Sequence, residues 1–311
     1  MLIYAKSALK EKDLDVKLDI GCDGIEIQLL DELVNGEIGN YNLAEDVFKL
    51  DRFKKYPVRV VHAPLLWNFG LPDVNIESFV GRDFKLLDQV CYVADYFGKQ
   101  QGKNILVVIH SEMNVETMQA VGILDRVTYS LDKLFSKYHN IEIVFENVTP
   151  LRKVYRGEIS LCNNFSYDNV ELVGYLRREL NSDKVGTCLD TCHALITNRY
   201  MSAIYDKLED VERIDYSLNS YFEKNRSYVK LMHISDAKGN GYGKGKHGVK
   251  FSSDNKQRLV ELMELYDEFG YMCPITLEID ETNYQICNGY RESRNTLLSI
   301  LNDKVENIKS A

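Results

Sequence analysis

The chain has 311 residues, of which 45% are hydrophobic, and a formal net charge of −9. This length and apolar content can bury a large core, and one α/β barrel with long loops, a single domain over residues 1–311, is the expected organisation. The negative charge argues against a general nucleic-acid coat, although a local basic patch can still capture phosphate on an acidic protein.

No stretch approaches the ~20 consecutive apolar residues that span a bilayer. The opening MLIYAKSALKEKD lacks the long apolar core and small-residue cleavage site of a leader, so no membrane partner and a cytoplasmic location are expected. Seven scattered cysteines do not form a disulfide framework. Cys188 and Cys192 flank a carboxylate and could be soft ligands, but small buried cysteines are the commoner reading.

Taken in chain order, runs of Val, Ile, Leu and aromatics predict strands at 2–6 (LIYAK), 24–30 (GIEIQLL), 58–64 (VRVVHAP), 105–111 (ILVVIHS), 141–147 (IEIVFEN), 185–191 (VGTCLDT), 229–235 (VKLMHIS) and 275–280 (ITLEID). Several are apolar on both faces, as parallel strands covered on both sides should be. Between and after them, helical periodicity runs through 76–97, 115–137, 167–180, 203–223, 254–268 and 290–308. Asn114 and Ser253-Asp254 read as helix starts, and Gly98 and Gly270 as stops. Eight strands alternating with helices predict an α/β fold, a single (β/α)8 TIM barrel with parallel strands and outer helices; an open doubly wound sheet is the alternative.

Six residues able to bind a metal stand at the ends of six of these strands: His62, His110, Glu146, Asp190, His233 and Glu278, separated by 48, 36, 44, 43 and 45 residues. In a parallel barrel all strand C-termini open on one face, so the six should converge. Crowding three carboxylates and three imidazoles there is costly unless a cation compensates, and a divalent metal is the simplest compensation. The oxygen-rich set suits Mn²⁺, Mg²⁺, Co²⁺ or Zn²⁺, and the histidines tilt the choice toward zinc. Glu146 could bridge two ions.

LDTCHA at 189–194 and MHISDAK at 232–238, with VHAPLLWNFG at 61–70, VIHSE at 108–112, FEN at 145–147 and LEID at 277–280, resemble the xylose isomerase-like TIM-barrel superfamily. That superfamily includes sugar isomerases and epimerases and the endonuclease IV type of abasic-site nuclease, AP endonuclease family 2. The resemblance implies Glu146, Asp190, His233 and Glu278 as shared ligands, with His62 and His110 as the extra ligands of the nuclease branch. It also implies a further zinc on His193 with an Asp-x-His pair after strand seven. Here the only histidine in that region is His247, and Gly245 stands where the aspartate would be, which leaves one or two ions, Zn²⁺ or Mn²⁺, and His193 and His247 as substrate contacts.

Two cationic segments flank the expected mouth. KGNGYGKGKHGVK at 238–250 carries Lys238, Lys244, Lys246 and Lys250 among five glycines, where barrels often bind phosphate. TPLRKVYRGEISLCNNF at 149–165 brings Arg152, Lys153, Tyr155 and Arg156, suited to an anion and a sugar ring, or to a lid or a homo-oligomer contact. Trp67, the only tryptophan, could wall the pocket, and Glu26 and Gln28 could bind a substrate hydroxyl at the mouth.

The leading expectation is a metal-dependent isomerase or epimerase of a sugar or sugar phosphate, with Glu146 and Glu278 as base and acid beside a chelated carbonyl. The alternative is zinc-dependent hydrolysis of DNA at an abasic site, which alone would make DNA a partner.

Overall fold

A computed structural model of the protein describes residues 1–37, 40–64, 81, 83–110, 122–149, 151–155, 158–162, 166–206, 214–238 and 246–310. Eight parallel strands close into a barrel: β1 (Ile3–Ala8), β2 (Gly24–Gln28), β3 (Val58–His62), β4 (Ile105–His110), β5 (Ile141–Glu146), β6 (Val185–Asp190), β7 (Val229–Ile234) and β8 (Ile275–Leu277). Each pairs with its sequence neighbours, and β8 pairs with β1. All eight expected strands are present. The strands are buried on both faces; every residue of β6 is buried.

Around the barrel lie α1 (Glu11–Ile20), α2 (Phe84–Gln101), α3 (Ile123–Lys137), α4 (Ser166–Glu179), α5 (Thr191–Tyr205), α6 (Leu218–Asn225), α7 (Lys256–Glu268) and α8 (Asn288–Ser310). In α2, Leu86, Val90, Val93 and Phe97 recur at helical spacing and are fully buried, so this stripe faces the barrel. The interior layer joins Tyr4, Val60, Val108, Val144, Cys188 and Leu231. Each of these lies two residues before a side chain of the mouth, on the same face of its strand.

Three expectations shift. Gly98 does not stop α2: it lies inside the helix, where any side chain would collide with Asn140, and the helix ends at Gly102, which adopts φ 60°. The periodic segment 203–223 is not one helix; α5 begins directly at the end of β6, and α6 starts at the Ser217 cap, whose hydroxyl accepts from the Ser220 N–H. No helix is expected before β2, yet α1 forms there, a short charged helix that buries only Leu14, Lys17 and Ile20. The expected start at Asn114 lies outside the described residues, while α7 begins two residues after the Ser253-Asp254 signal.

Both cationic segments contain paired strands. Residues Leu151–Tyr155 pair antiparallel with Glu158–Cys162, and Asp236–Lys238 with Lys246–Val249. Among the described residues no helix is long and apolar enough to cross a membrane. The six cysteines whose side chains are described are free.

Candidate metal centre at the barrel mouth

Strand register builds the site. His110 lies opposite Glu146 across β4 and β5, Asp190 opposite His233 across β6 and β7, and Gln28 opposite His62 across β2 and β3. Glu278 follows β8 directly, its N–H donating to the Ile234 carbonyl. All six strand-end residues therefore meet at the C-terminal mouth.

They form two sets of potential ligands that share one carboxylate. His62, His110 and Glu146 make one; Glu146, Asp190, His233 and Glu278 make the other, with the ligand atoms of each set within 4.8 Å of one another. Glu146 Oε2 stands 3.0 Å from His62 Nε2, 3.5 Å from His110 Nε2 and 3.4 Å from His233 Nδ1, and Glu146 Oε1 lies 3.4 Å from His193 Nδ1.

The imidazoles are held from behind. His62 Nδ1 is 2.8 Å from the Ala63 carbonyl, which fixes that nitrogen as the N–H and turns Nε2 to the centre as an acceptor. His233 Nε2 is 2.9 Å from Glu26 Oε2, leaving Nδ1 facing Glu278 Oε2 at 2.9 Å. His233 Nδ1 and Glu278 Oε2 are both buried and face each other as an ion pair without an aligned hydrogen bond. A buried imidazole nitrogen and carboxylate oxygen turned to one point, with Glu146 and Asp190 beside them, fit a divalent cation.

Asp190 joins the centre to the fold. Its Oδ1 accepts from the His193 N–H and so caps α5, its own N–H donates to Asn147 Oδ1, and its carbonyl accepts from Asn147 Nδ2. His193 Nδ1 reaches the Asn147 carbonyl at 2.9 Å.

Charges respond to this crowding. Burial would raise the Glu146 carboxyl, but His233 and His110 hold it well below the usual range. Burial would likewise raise Glu278, and Lys6 and His233 hold it low. Burial lowers His233 and His193, yet their acidic neighbours prevail: Cys188, Glu26 and Glu146 raise His233 well above an ordinary histidine, and Asp190 and Glu146 raise His193 to about 9. Burial itself raises Asp190. His62 is lowered by burial and by Lys6.

Lys6 belongs to the same layer. Its Nζ is 2.8 Å from Glu278 Oε1 and 3.6 Å from Glu26 Oε1, with the side chain 14% exposed. A lysine is not a metal-binding residue type, yet Lys6 follows the interior Tyr4 by two residues, as the candidate ligands follow their own interior residues. Asn147 stands in the sequence only as the end of FEN, and no local pattern signals its clamp on Asp190.

Among the expected substrate contacts, Glu26 is fully buried behind His233 and does not stand at the mouth. The His247 ring is 5.7 Å from that of His193, edge to face, and is exposed. Lys238 is exposed at the end of its short strand. Arg152 lies on the 151–155 strand, and Trp67 falls outside the described residues. A cavity of about 910 Å³ opens beside the centre, lined by Lys6, Gln28, His247, Glu278, Asp280 and Tyr284 among others.

A family model described as a xylose isomerase-like TIM barrel matches residues 15–300. The chain is 25% identical over 183 residues to the probable endonuclease 4 of Metamycoplasma arthritidis, covering 57% of this chain and 54% of that protein. It is 25% identical over 202 residues to the probable endonuclease 4 of Malacoplasma penetrans, covering 63% and 60%. The chain thus spans little more than half the length of these relatives. In fold it is similar to a xylose isomerase domain protein from Planctomyces limnophilus (TM-score 0.60, 11% identity, 99% of each chain) and to 3-keto-D-glucoside 4-epimerase from E. coli (TM-score 0.54, 16% identity, 97% and 99%).

Proposed function

The chain belongs to the xylose isomerase-like TIM barrel family, and from that premise we propose that it is a two-metal phosphodiester hydrolase acting on abasic DNA, as its resemblance to endonuclease 4 suggests. The observation that carries this reading is Glu146, whose carboxylate is common to both ligand sets. A carboxylate shared in this way suits a bridged pair of ions, and His62 and His110 have no comparable task if only one ion is held.

Divalent ions at such a centre, when bound, neutralise phosphate charge and make water a better nucleophile. The protein's own groups do the rest. His62 and His233 are fixed in orientation by the Ala63 carbonyl and by Glu26. Glu278 borders the cavity with Oε1 held by Lys6, which supports the reading that its carboxylate accepts the proton of an attacking water. The water oxygen bonds to phosphorus, the phosphorus–oxygen bond to one sugar breaks, and the departing oxygen takes a proton from solvent.

Sugar isomerisation or epimerisation is the second reading, favoured by the cavity beside Glu278, whose lining includes Gln28, Asp280, Thr282 and Asn283 as hydrogen-bonding groups for a polyol. In it Glu146 and Glu278 would exchange a substrate proton. Glu146 is the weaker fit, because its side chain is only 1% exposed and four imidazoles crowd it.

The test is strand cleavage of a duplex carrying one abasic site, with zinc-loaded protein and Glu146→Gln as the contamination control. Cleavage by the wild type alone is expected. Intact duplex after incubation with metal-containing protein would reject the hydrolase reading, and turnover in a panel of ketoses and their phosphates would then establish the second.

A further inference from the structure

Cys188 is a buried nucleophilic group that the proposed chemistry does not use. It sits on β6 two residues before Asp190, so the two side chains share one face, with Cys188 one layer deeper. Across the barrel wall it lies opposite Glu146 in the β5–β6 register. Its interior neighbours are Tyr4, Val60, Val108, Val144 and Leu231, so among the described residues of this layer the thiol is the only soft donor.

The thiol is also within reach of the centre. The ligand atoms of Glu146, Cys188 and His233 lie within 4.8 Å of one another, and all three residues are buried. His233 Nδ1, on the imidazole shared with the upper set, is buried and makes no aligned hydrogen bond, its contacts being ion pairs to Glu278 and Glu146, and the Cys188 thiol interacts with the same imidazole. Cys192, the other cysteine beside Asp190, is turned away: its Sγ donates to the Asp236 carbonyl at 3.6 Å. Geometry therefore separates two cysteines that look alike in the sequence.

We propose that Cys188 is a ligand of the metal centre, completing with Glu146 and His233 a soft site for a thiophilic divalent ion such as Zn²⁺ or Co²⁺. The inference rests on the metal centre of the proposed function and deepens it, since a sulfur donor favours zinc and cobalt over Mg²⁺ and Mn²⁺. Because Glu146 and His233 also belong to the oxygen-rich set, Cys188 extends that site downward and does not create a separate one. On binding, the sulfur–metal bond forms as the thiol proton is released to the buffer.

Cobalt substitution reads this directly. Apoprotein of the full chain, titrated with Co²⁺, is expected to develop both visible ligand-field bands and a near-ultraviolet thiolate-to-cobalt charge-transfer band. Cys188→Ser and Cys188→Ala should lose the charge-transfer band and keep the visible bands, while Cys192→Ala keeps both. Zinc affinity should fall in both Cys188 variants with manganese affinity unchanged. Visible bands in the wild type without a charge-transfer band, or a charge-transfer band that survives in both Cys188 variants, would overturn the assignment and leave the metal centre standing. Failure of folded wild-type protein to take up any cobalt would overturn the assignment together with the centre beneath it.

Discussion

Glu26 Oε2 lies 2.9 Å from His233 Nε2, with both side chains fully buried, so the carboxylate orients the imidazole whose other nitrogen faces Glu146 and Glu278. A carboxylate behind a metal-binding histidine fixes its tautomer and raises its basicity, and losing such a partner commonly costs about 10–100-fold in metal affinity. Glu26→Gln keeps the shape and removes the charge. Zinc affinity, measured by competition with a chromophoric chelator, should therefore fall by about 10-fold or more; equal affinities would show that Glu26 plays no such part.

Proton release is the second expectation. In the metal-free centre the acidic neighbours of His233, Glu26 and Glu146, raise it well above its usual range despite burial, which favours the doubly protonated ring. That proton occupies a nitrogen a metal needs, and binding must expel it. Affinity should rise with pH through the neutral range and fall on acidification. Calorimetric titrations with Zn²⁺ in two buffers of different ionisation enthalpy should give different apparent heats, and identical heats would contradict the linkage.

The barrel and its six strand-end residues were legible because both depend on short-range patterns. A run such as VKLMHI is rich in aliphatic residues and buried over its last four positions, so the His233 near its end must face the mouth. The supporting groups were not legible, because their roles depend on pairings between distant strands. Glu26 meets His233 across 207 positions of sequence, which no local pattern reports, so a carboxylate behind the site is easily read as one at its entrance. Helix boundaries failed where tertiary contact overrides local signals: Gly98 lies within a helix, where the missing side chain leaves room for Asn140, and α5 starts early because Asp190 caps it.

Lys6 supplies the only lysine charge among the described ion pairs of the centre, touching Glu278 at 2.8 Å and Glu26 at 3.6 Å. Removing one member of a buried charge pair leaves the other uncompensated, at a cost of about 3–5 kcal/mol. Lys6→Met should lower the stability of metal-free protein by about that amount in urea unfolding, and added Zn²⁺ should restore part of it by taking over the neutralising role. A metal-free variant as stable as the wild type would show that Glu26 and Glu278 do not need the ammonium.

Asn147 offers the sharpest separation of scaffold from chemistry, since its side chain makes two hydrogen bonds to the backbone of Asp190, at 2.8 and 2.9 Å, and touches no ligand atom in those bonds. Asn147→Ala leaves the Asp190 N–H and carbonyl buried without those partners, at about 1–3 kcal/mol for each unsatisfied group. The same change frees the residue that both caps α5 and presents a carboxylate to the centre. The variant should therefore lose stability and metal affinity together, with the affinity loss persisting at temperatures where it remains fully folded. If affinity stays at the wild-type level while stability drops, Asn147 supports only the fold, and Asp190 is placed by the cap on α5 alone.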